Sequence, residues 1–353
     1  MTRRERLLAA LRLEKTDRVP MFDFLFQEPM YEELIGRKPG VYNALDAMEC
    51  ALALEHDGVW LPFGGFSGFE PKMIDEKTYV DEWGTTYKRD PASWPIDAPI
   101  DYPIKSREDM AKYKSPDPTL PGRDAEIKKA VANNPEDLAL TGGVLGPFAA
   151  TWLLMGYERF CMALYDDPDL LTECFKMSVE YSKEAARLSV AAGCHGMWFS
   201  EDLGDGHSGF MSNDHFEKLL LPYIAELAEY IDSLGVPVLL HSCGNIKQYL
   251  PYLAQTKIAS VNPLQRTADM NLKEFKQEYG KRFCIIGNID SSVTLPFGTV
   301  DEVIAETKEA IEIASPGGGF ILASDHSLHD GIPIENITAL RDAGLKYGKV
   351  YET

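Results

Sequence analysis

The sequence predicts an α/β fold, a TIM (β/α)8 barrel with an inserted hairpin/loop segment after strand two. Three observations carry this prediction. Short β-rich apolar runs alternate with longer helical patterns, each run is bounded by glycine, proline or a polar cluster, and eight such runs can be counted. A chain of 353 residues with 45% hydrophobic content can bury the core that one barrel requires, so residues 1–353 are read as a single domain with an insertion at about 63–121.

Taken in chain order, Leu7, Leu8 and Leu11 have helical spacing and predict a short amphipathic helix on the barrel's flank. Arg12 and Glu14 break the apolar stretch, which makes it neither a signal peptide nor a membrane span. The predicted strands are 18–24, 58–62, 138–142, 196–200, 236–240, 258–262, 283–288 and 320–324. Between the later ones, Phe216, Leu219, Leu220, Tyr223, Ile224, Leu227 and Ile231 follow one helical face over 213–234. The unit between strands two and three is too long for a simple crossover. Its alternating stretch from Thr78 to Tyr87 predicts a hairpin, followed by a proline-rich loop, that walls or covers the mouth. Gly317, Gly318 and Gly319 precede strand eight and read as a helix-to-strand turn rather than a phosphate loop.

Composition narrows the function. A formal charge of −20 repels polyanions, so neither nucleic acid nor an anionic membrane is an expected partner. Six scattered cysteines in mostly apolar contexts fit reduced thiols in a cytoplasmic protein better than a disulfide framework.

In a TIM barrel the active site lies at the C-terminal ends of the strands. The strand ends of this chain are strongly polar: Glu201 and Asp202 after strand four, His241 and Cys243 after five, Asn262 and Gln265 after six, Asn288 and Asp290 after seven, and Asp325, His326 and His329 after eight. Imidazole and thiolate are preferred zinc ligands, and one intervening residue lets His241 and Cys243 converge on one ion; the bland alternative is a buried thiol at a capped strand end. Adjacent acids point to opposite faces, so one of Glu201 and Asp202 can face the mouth. Asp290 either lines the pocket or caps Ser291 to Val293. Gly142 and Gly143 would let a ligand approach the backbone. Trp152 and Tyr157 read as packing residues. Phe22, Phe24, Phe26, Trp60, Phe63 and Phe66 suit either an apolar pocket or core.

Several motifs together resemble the uroporphyrinogen decarboxylase-like superfamily: Arg3-Glu5-Arg6, Asp17-Arg18-Val19-Pro20, Pro222-Tyr223, His241-Ser242-Cys243-Gly244-Asn245-Ile246, Asn262-Pro263-Leu264-Gln265, Gly287-Asn288-Ile289-Asp290 and Pro333-Ile334-Glu335-Asn336-Ile337. The resemblance covers nearly the whole chain. Its decarboxylases carry an arginine-rich loop early in the chain, where this sequence has residues 21–29 without arginine, so nothing local would neutralise a tetra-acidic porphyrinogen. The corrinoid-dependent methyltransferase branch instead carries a His-x-Cys zinc pair on strand five and a third ligand, usually Cys, after strand eight. His241 and Cys243 match the pair, and the third position falls on His326, an imidazole in place of the thiolate.

The resemblance implies a zinc-dependent methyltransferase moving a methyl group between a small methylated substrate (an O-methyl aromatic, a methylamine or a thiol) and a corrinoid (cobalamin). His241, Cys243 and His326 would hold Zn²⁺. Glu201, Asp202 and Asp290 would serve catalysis, while Asn262, Gln265, Asn288 and Asp325 would bind substrate or support a ligand histidine. The corrinoid is expected on a separate partner protein, since no corrinoid-binding domain follows Thr353, and the chain itself as a possible homodimer. Two rivals stand beside this: a lyase acting on a smaller acid through Asp23 or Asp290 without metal, and a non-catalytic corrinoid or tetrapyrrole binder.

Overall fold

Seven parallel strands form one curled sheet in the computed structural model, which describes residues 1–25, 28–38, 42–63, 70–90 and 97–349. In chain order the strands are β1 (Gly58–Leu61), β2 (Lys72–Met73), β3 (Thr78–Val80), β4 (Thr86–Lys88), β5 (Ala98–Asp101), β6 (Ala139–Leu145), β7 (Gly196–Ser200), β8 (Val238–His241), β9 (Ile258–Asn262), β10 (Cys284–Ile289) and β11 (Phe320–Ser324). The large sheet runs β1-β6-β7-β8-β9-β10-β11, every strand beside its predecessor, as the βα repeat dictates. Three predicted strands, at 196, 258 and 320, match end to end.

The first predicted strand, 18–24, is not regular. Pro20 lacks an N–H, and the segment touches the sheet only through single bridges, Met21 to Leu322 and Leu25 to Leu328. It nevertheless fills the eighth position. Phe22 N–H donates to Leu322 O and Leu322 N–H to Pro20 O on one side, and Asp57 N–H donates to Met21 O on the other. The two edges of the curled sheet are thereby joined into the TIM-barrel architecture.

Asp23 is the side-chain latch of that closure. Its carboxyl is 3% exposed and accepts from Ser324 N–H and Ser324 Oγ, both at 2.8 Å, and from Phe24 N–H at 3.0 Å. Burial pushes its pKa up from 3.8 to about 7 against those bonds. A raised folded value means that this group's stabilising contribution is complete below 3.8 and is lost as the pH climbs through about 7. Unfolding measured by denaturant across that window should therefore show wild type losing stability relative to Asp23→Asn, at up to about 1.4 kcal/mol per pH unit. Parallel curves would contradict the assignment.

The predicted insertion after strand two is a four-stranded antiparallel sheet, β2-β3-β4-β5, rather than one hairpin. Its short outer strands are exposed (β2) or half-buried to exposed (β5) and carry no alternating signal, whereas Tyr79 and Tyr87 pair directly across β3 and β4. A buried ion pair between Arg123 and Glu82 ties it to the chain ahead of β6. The helix Arg3–Leu11 does not lie on the flank. Leu7, Ala10 and Leu11 pack with Ala139, Leu239, Cys284 and Ile321 inside the barrel, so the helix plugs its N-terminal end. The Arg6 and Arg18 of the family-like motifs serve that end too, both binding the buried Asp57, at 2.5 and 2.8 Å. The helical pattern over 213–234 is interrupted by a π turn at Phe216–Leu220, just ahead of Pro222, which cannot donate.

Candidate metal centre

Side-chain alternation decides which residues reach the barrel axis. Leu239 and Cys284 face the interior, so His241 and Asn288, two and four residues on, do so as well at the C-terminal end. His241 and Asn262 are paired in register as the last residues of β8 and β9. His241, Cys243 and His326 each offer a ligand atom, and all three atoms lie within 4.8 Å of one another. Cys243 Sγ is 3.3 Å from His241 Nε2, and the rings of His241 and His326 meet edge-on at 5.8 Å.

An outer bond selects the ligating nitrogen of His241. His241 Nδ1 is 2.6 Å from Asn262 Oδ1, and the Asn262 amide is oriented by Nδ2 donating to Ile286 O, so Oδ1 accepts from Nδ1–H and Nε2 is left with its lone pair toward Cys243. His326 Nδ1 pairs with Ser327 Oγ at 2.9 Å, a hydroxyl that can donate or accept. Burial, followed by His241, lowers the His326 pKa to about 4, which keeps the imidazole neutral. Burial, followed by Asp202, pushes the Cys243 thiol well up, so a thiolate forms there only beside a compensating cation. Two imidazoles and a cation-dependent thiolate fit Zn²⁺ and its preference for N and S donors.

Asn262 thus orients the His241 ring. Asn262→Leu should leave the fold intact and raise the zinc dissociation constant ~10–100-fold in a chelator competition. An unchanged constant would remove Asn262 from the centre.

The other predicted site residues separate clearly. Asp202, at a left-handed φ of 54°, places Oδ1 3.6 Å from His241 Nε2 and accepts from Cys243 N–H at 3.2 Å. Glu201 is fully buried. Its Oε2 accepts from the N–H groups of Phe148 and Ala149, at 2.9 and 3.0 Å, at the start of the helix Pro147–Met155, and burial raises its pKa to about 8. It pins that helix through Oε2, while its buried Oε1 has no hydrogen-bond partner among the described residues. Asp290 caps its own turn, Oδ1 accepting from Ser292 and Val293. Asp325 binds Ser291 and the N–H of Arg266, with no bond to a ligand histidine, and Gln265 accepts from Gly244 N–H. Asn288 donates to Leu264 O while its buried Oδ1 has no partner, so it alone of the four expected substrate binders keeps an acceptor unengaged among the described residues.

His329 ties Ser291 O to Gly331 N–H. A side chain at Gly142 would strike Met197 and one at Gly143 would strike the Trp60 indole, at 2.8 and 2.3 Å, so these glycines admit neighbours rather than a ligand. Phe22 is core, stacked on Trp198, whereas Phe24 meets His241 edge-on at 5.5 Å; Phe26 and Phe66 lie outside the described residues.

One positioning device leaves only a faint trace in the sequence. The loop 203–210 packs backbone to backbone on the loop carrying Cys243: Asn245 N–H donates to Asp205 O at 2.7 Å and Leu203 N–H to Ser242 Oγ at 2.9 Å. A Cβ on Gly244, at φ +79°, would sit 2.1 Å from Gly204 O. The run of three glycines at 204, 206 and 209 is the available signal.

A barrel with this set of side chains at its mouth belongs to a defined class. The chain is a member of the uroporphyrinogen decarboxylase (URO-D) family, whose model matches residues 95–347. Among its relatives, it is 28% identical over 211 residues to the methylcobamide:CoM methyltransferase MtaA of Methanosarcina barkeri, covering 60% of this chain and 59% of that protein. It is 26% identical over 341 residues to the methylcobamide:CoM methyltransferase MtbA of Methanosarcina acetivorans, covering 91% and 93%. It is also 24% identical to a uroporphyrinogen decarboxylase of Alkalilimnicola ehrlichii, covering 96% and 93%. A solved methyltransferase from Methanosarcina mazei shares the fold, with a TM-score of 0.76, 24% identity and coverage of 98% and 99%. No helix among the described residues is long and apolar enough to cross a membrane.

Proposed function

We propose that this protein is a zinc-dependent methyltransferase that moves a methyl group between a small methylated substrate and a corrinoid carried by a partner protein. The observation that carries this reading is the convergence of His241, Cys243 and His326 at the barrel mouth. Three protein ligands leave a fourth position for a substrate heteroatom, whose change of charge is the main electrostatic demand of methyl transfer. Zinc bound there would supply Lewis acidity toward that heteroatom. His241, oriented by Asn262, and His326, paired with Ser327, would hold the zinc with Cys243. Asp202, with Oδ1 3.6 Å from His241 Nε2, would hold a proton for the substrate. The relatives named as methylcobamide methyltransferases support the corrinoid, and scattered free cysteines support a reducing, cytoplasmic setting.

The lyase rival is less well supported, because Asp23 is sealed against Ser324 and Asp290 is engaged by its own turn. The zinc-loaded chain should convert reduced cobalamin to methylcobalamin, or the reverse, with at least one member of a panel of methyl ethers, methylamines and thiols, followed by absorbance. No transfer with any member would leave the storage reading in its place.

A further inference from the structure

The two histidines of the cluster leave different strands, His241 at the end of β8 and His326 two residues beyond β11, so another element must set the gap between them. The irregular first stave touches both. Towards His326 it grips the loop at each end: Asp23 accepts from Ser324 N–H and Oγ, both at 2.8 Å, and Phe24 O accepts from Leu328 N–H at 3.1 Å. Ser324 and Leu328 stand two residues before and two after the histidine. On its other side Asp325 ties the same loop to Ser291 and to Arg266 N–H. Towards His241 the stave presents the Phe24 ring, with centroids 5.5 Å apart and planes at 89°.

Phe24 is itself tightly confined. Phe22 meets it at 5.4 Å and 84°, Trp198 at 5.2 Å and Trp60 at 6.3 Å, so its ring is a fixed stop for the imidazole that Asn262 orients from Nδ1. The seam is less completely filled. A cavity of about 10 Å³ is lined by Met21, Phe22 and Asp23 of the stave and by Leu322, Ala323 and Leu328 opposite, which leaves more of the closure to the hydrogen bonds than to packing. An ion that needs His241 and His326 together binds better when the stave is docked and, by linkage, favours the docked stave in return.

We propose that Asp23 and Phe24 are positioning residues of the metal centre: the first stave sets His326 opposite His241, so that zinc binding and closure of the barrel seam reinforce each other. This rests on the zinc site of the methyltransferase reading and adds the element that presets it. The test uses Zn²⁺ alone on the full chain, without methyl donor or corrinoid. Amide hydrogen exchange at Ser324 and Leu328 should slow by up to ~100-fold when free zinc is raised to ~100 times its dissociation constant. Phe24→Leu should bind zinc ~10-fold more weakly in a chelator competition. Phe22→Leu alters the same stave and aromatic cluster, but Phe22 has no ring contact with His241 among the described residues. It should lose comparable stability in denaturant and keep the wild-type zinc constant. Unchanged exchange at Ser324 and Leu328 in the zinc-bound protein, an unchanged zinc constant in Phe24→Leu, or equal weakening in both variants would overturn the proposal. Failure of wild type to bind zinc would overturn it together with the metal centre. The expected zinc responses without methyl transfer in the cobalamin assay would leave it standing and remove the function reading alone.

Discussion

Cys243→Ala is expected to release the zinc and reduce methyl transfer to background. Cys243 is the only thiol of the cluster, and its sulfur is 3.3 Å from His241 Nε2. Two imidazoles alone make a weak site. Loss of an outer-shell partner already costs roughly 10–100-fold in metal affinity, and loss of a direct ligand should exceed that. The fold should survive, because the bond from the residue 243 N–H to Asp202 is a backbone one. Metal analysis after dialysis and the cobalamin assay report the two effects. Cys174→Ala, at a buried thiol remote from the cluster, is the control that should keep both zinc and activity. Stoichiometric zinc in Cys243→Ala would place the metal elsewhere.

Gly244→Ala is the substitution expected to damage the centre without touching a ligand. The added methyl would lie 2.1 Å from Gly204 O and 2.6 Å from Asp205 O, both backbone atoms that no rotamer change can move, at a left-handed φ of 79°. Left-handed backbone costs a non-glycine residue ~1–2 kcal/mol, and overpacking typically adds about 1–3 kcal/mol, so a total of about 2–5 kcal/mol is expected. The two loops must part to relieve it, and Cys243 moves with its neighbour. Denaturant unfolding should show the loss of stability and chelator competition a weakened zinc site. Gly206→Ala, in the same loop with open space around it, should change neither.

How much of the molecule is legible in its sequence depends on what kind of partner a residue needs. The strands at 196–200, 258–262 and 320–324 can be read because apolar runs end there in residues that must face the mouth. The first stave is read as a strand at 18–24, but its irregularity is not, since Pro20 prevents regular pairing and tertiary hydrogen bonds to Leu322 and Asp57 hold it in place. The outer strands of the inserted sheet are short and exposed to half-buried, and leave no periodic trace. Within the site, His241, Cys243 and His326 are identifiable because few residue types bind zinc and strand counting puts them on one mouth. Asn262, Gln265 and Asp325 look equally suited to a substrate, because an amide or carboxylate carries no mark of whether its partner is a ligand, a ring nitrogen or a neighbouring loop; the structure gives each of them such a neighbour.

The central claim is that one zinc at His241, Cys243 and His326 is required for methyl transfer. The measurement that tests it most directly is activity against zinc content, with the metal stripped by chelator and returned in graded amounts. The expected result is no turnover in the stripped protein, linear recovery to a plateau at one zinc per chain, and a zinc-edge absorption spectrum showing two nitrogen ligands and one sulfur, the latter at about 2.3 Å. Full turnover by the metal-free protein would contradict the account.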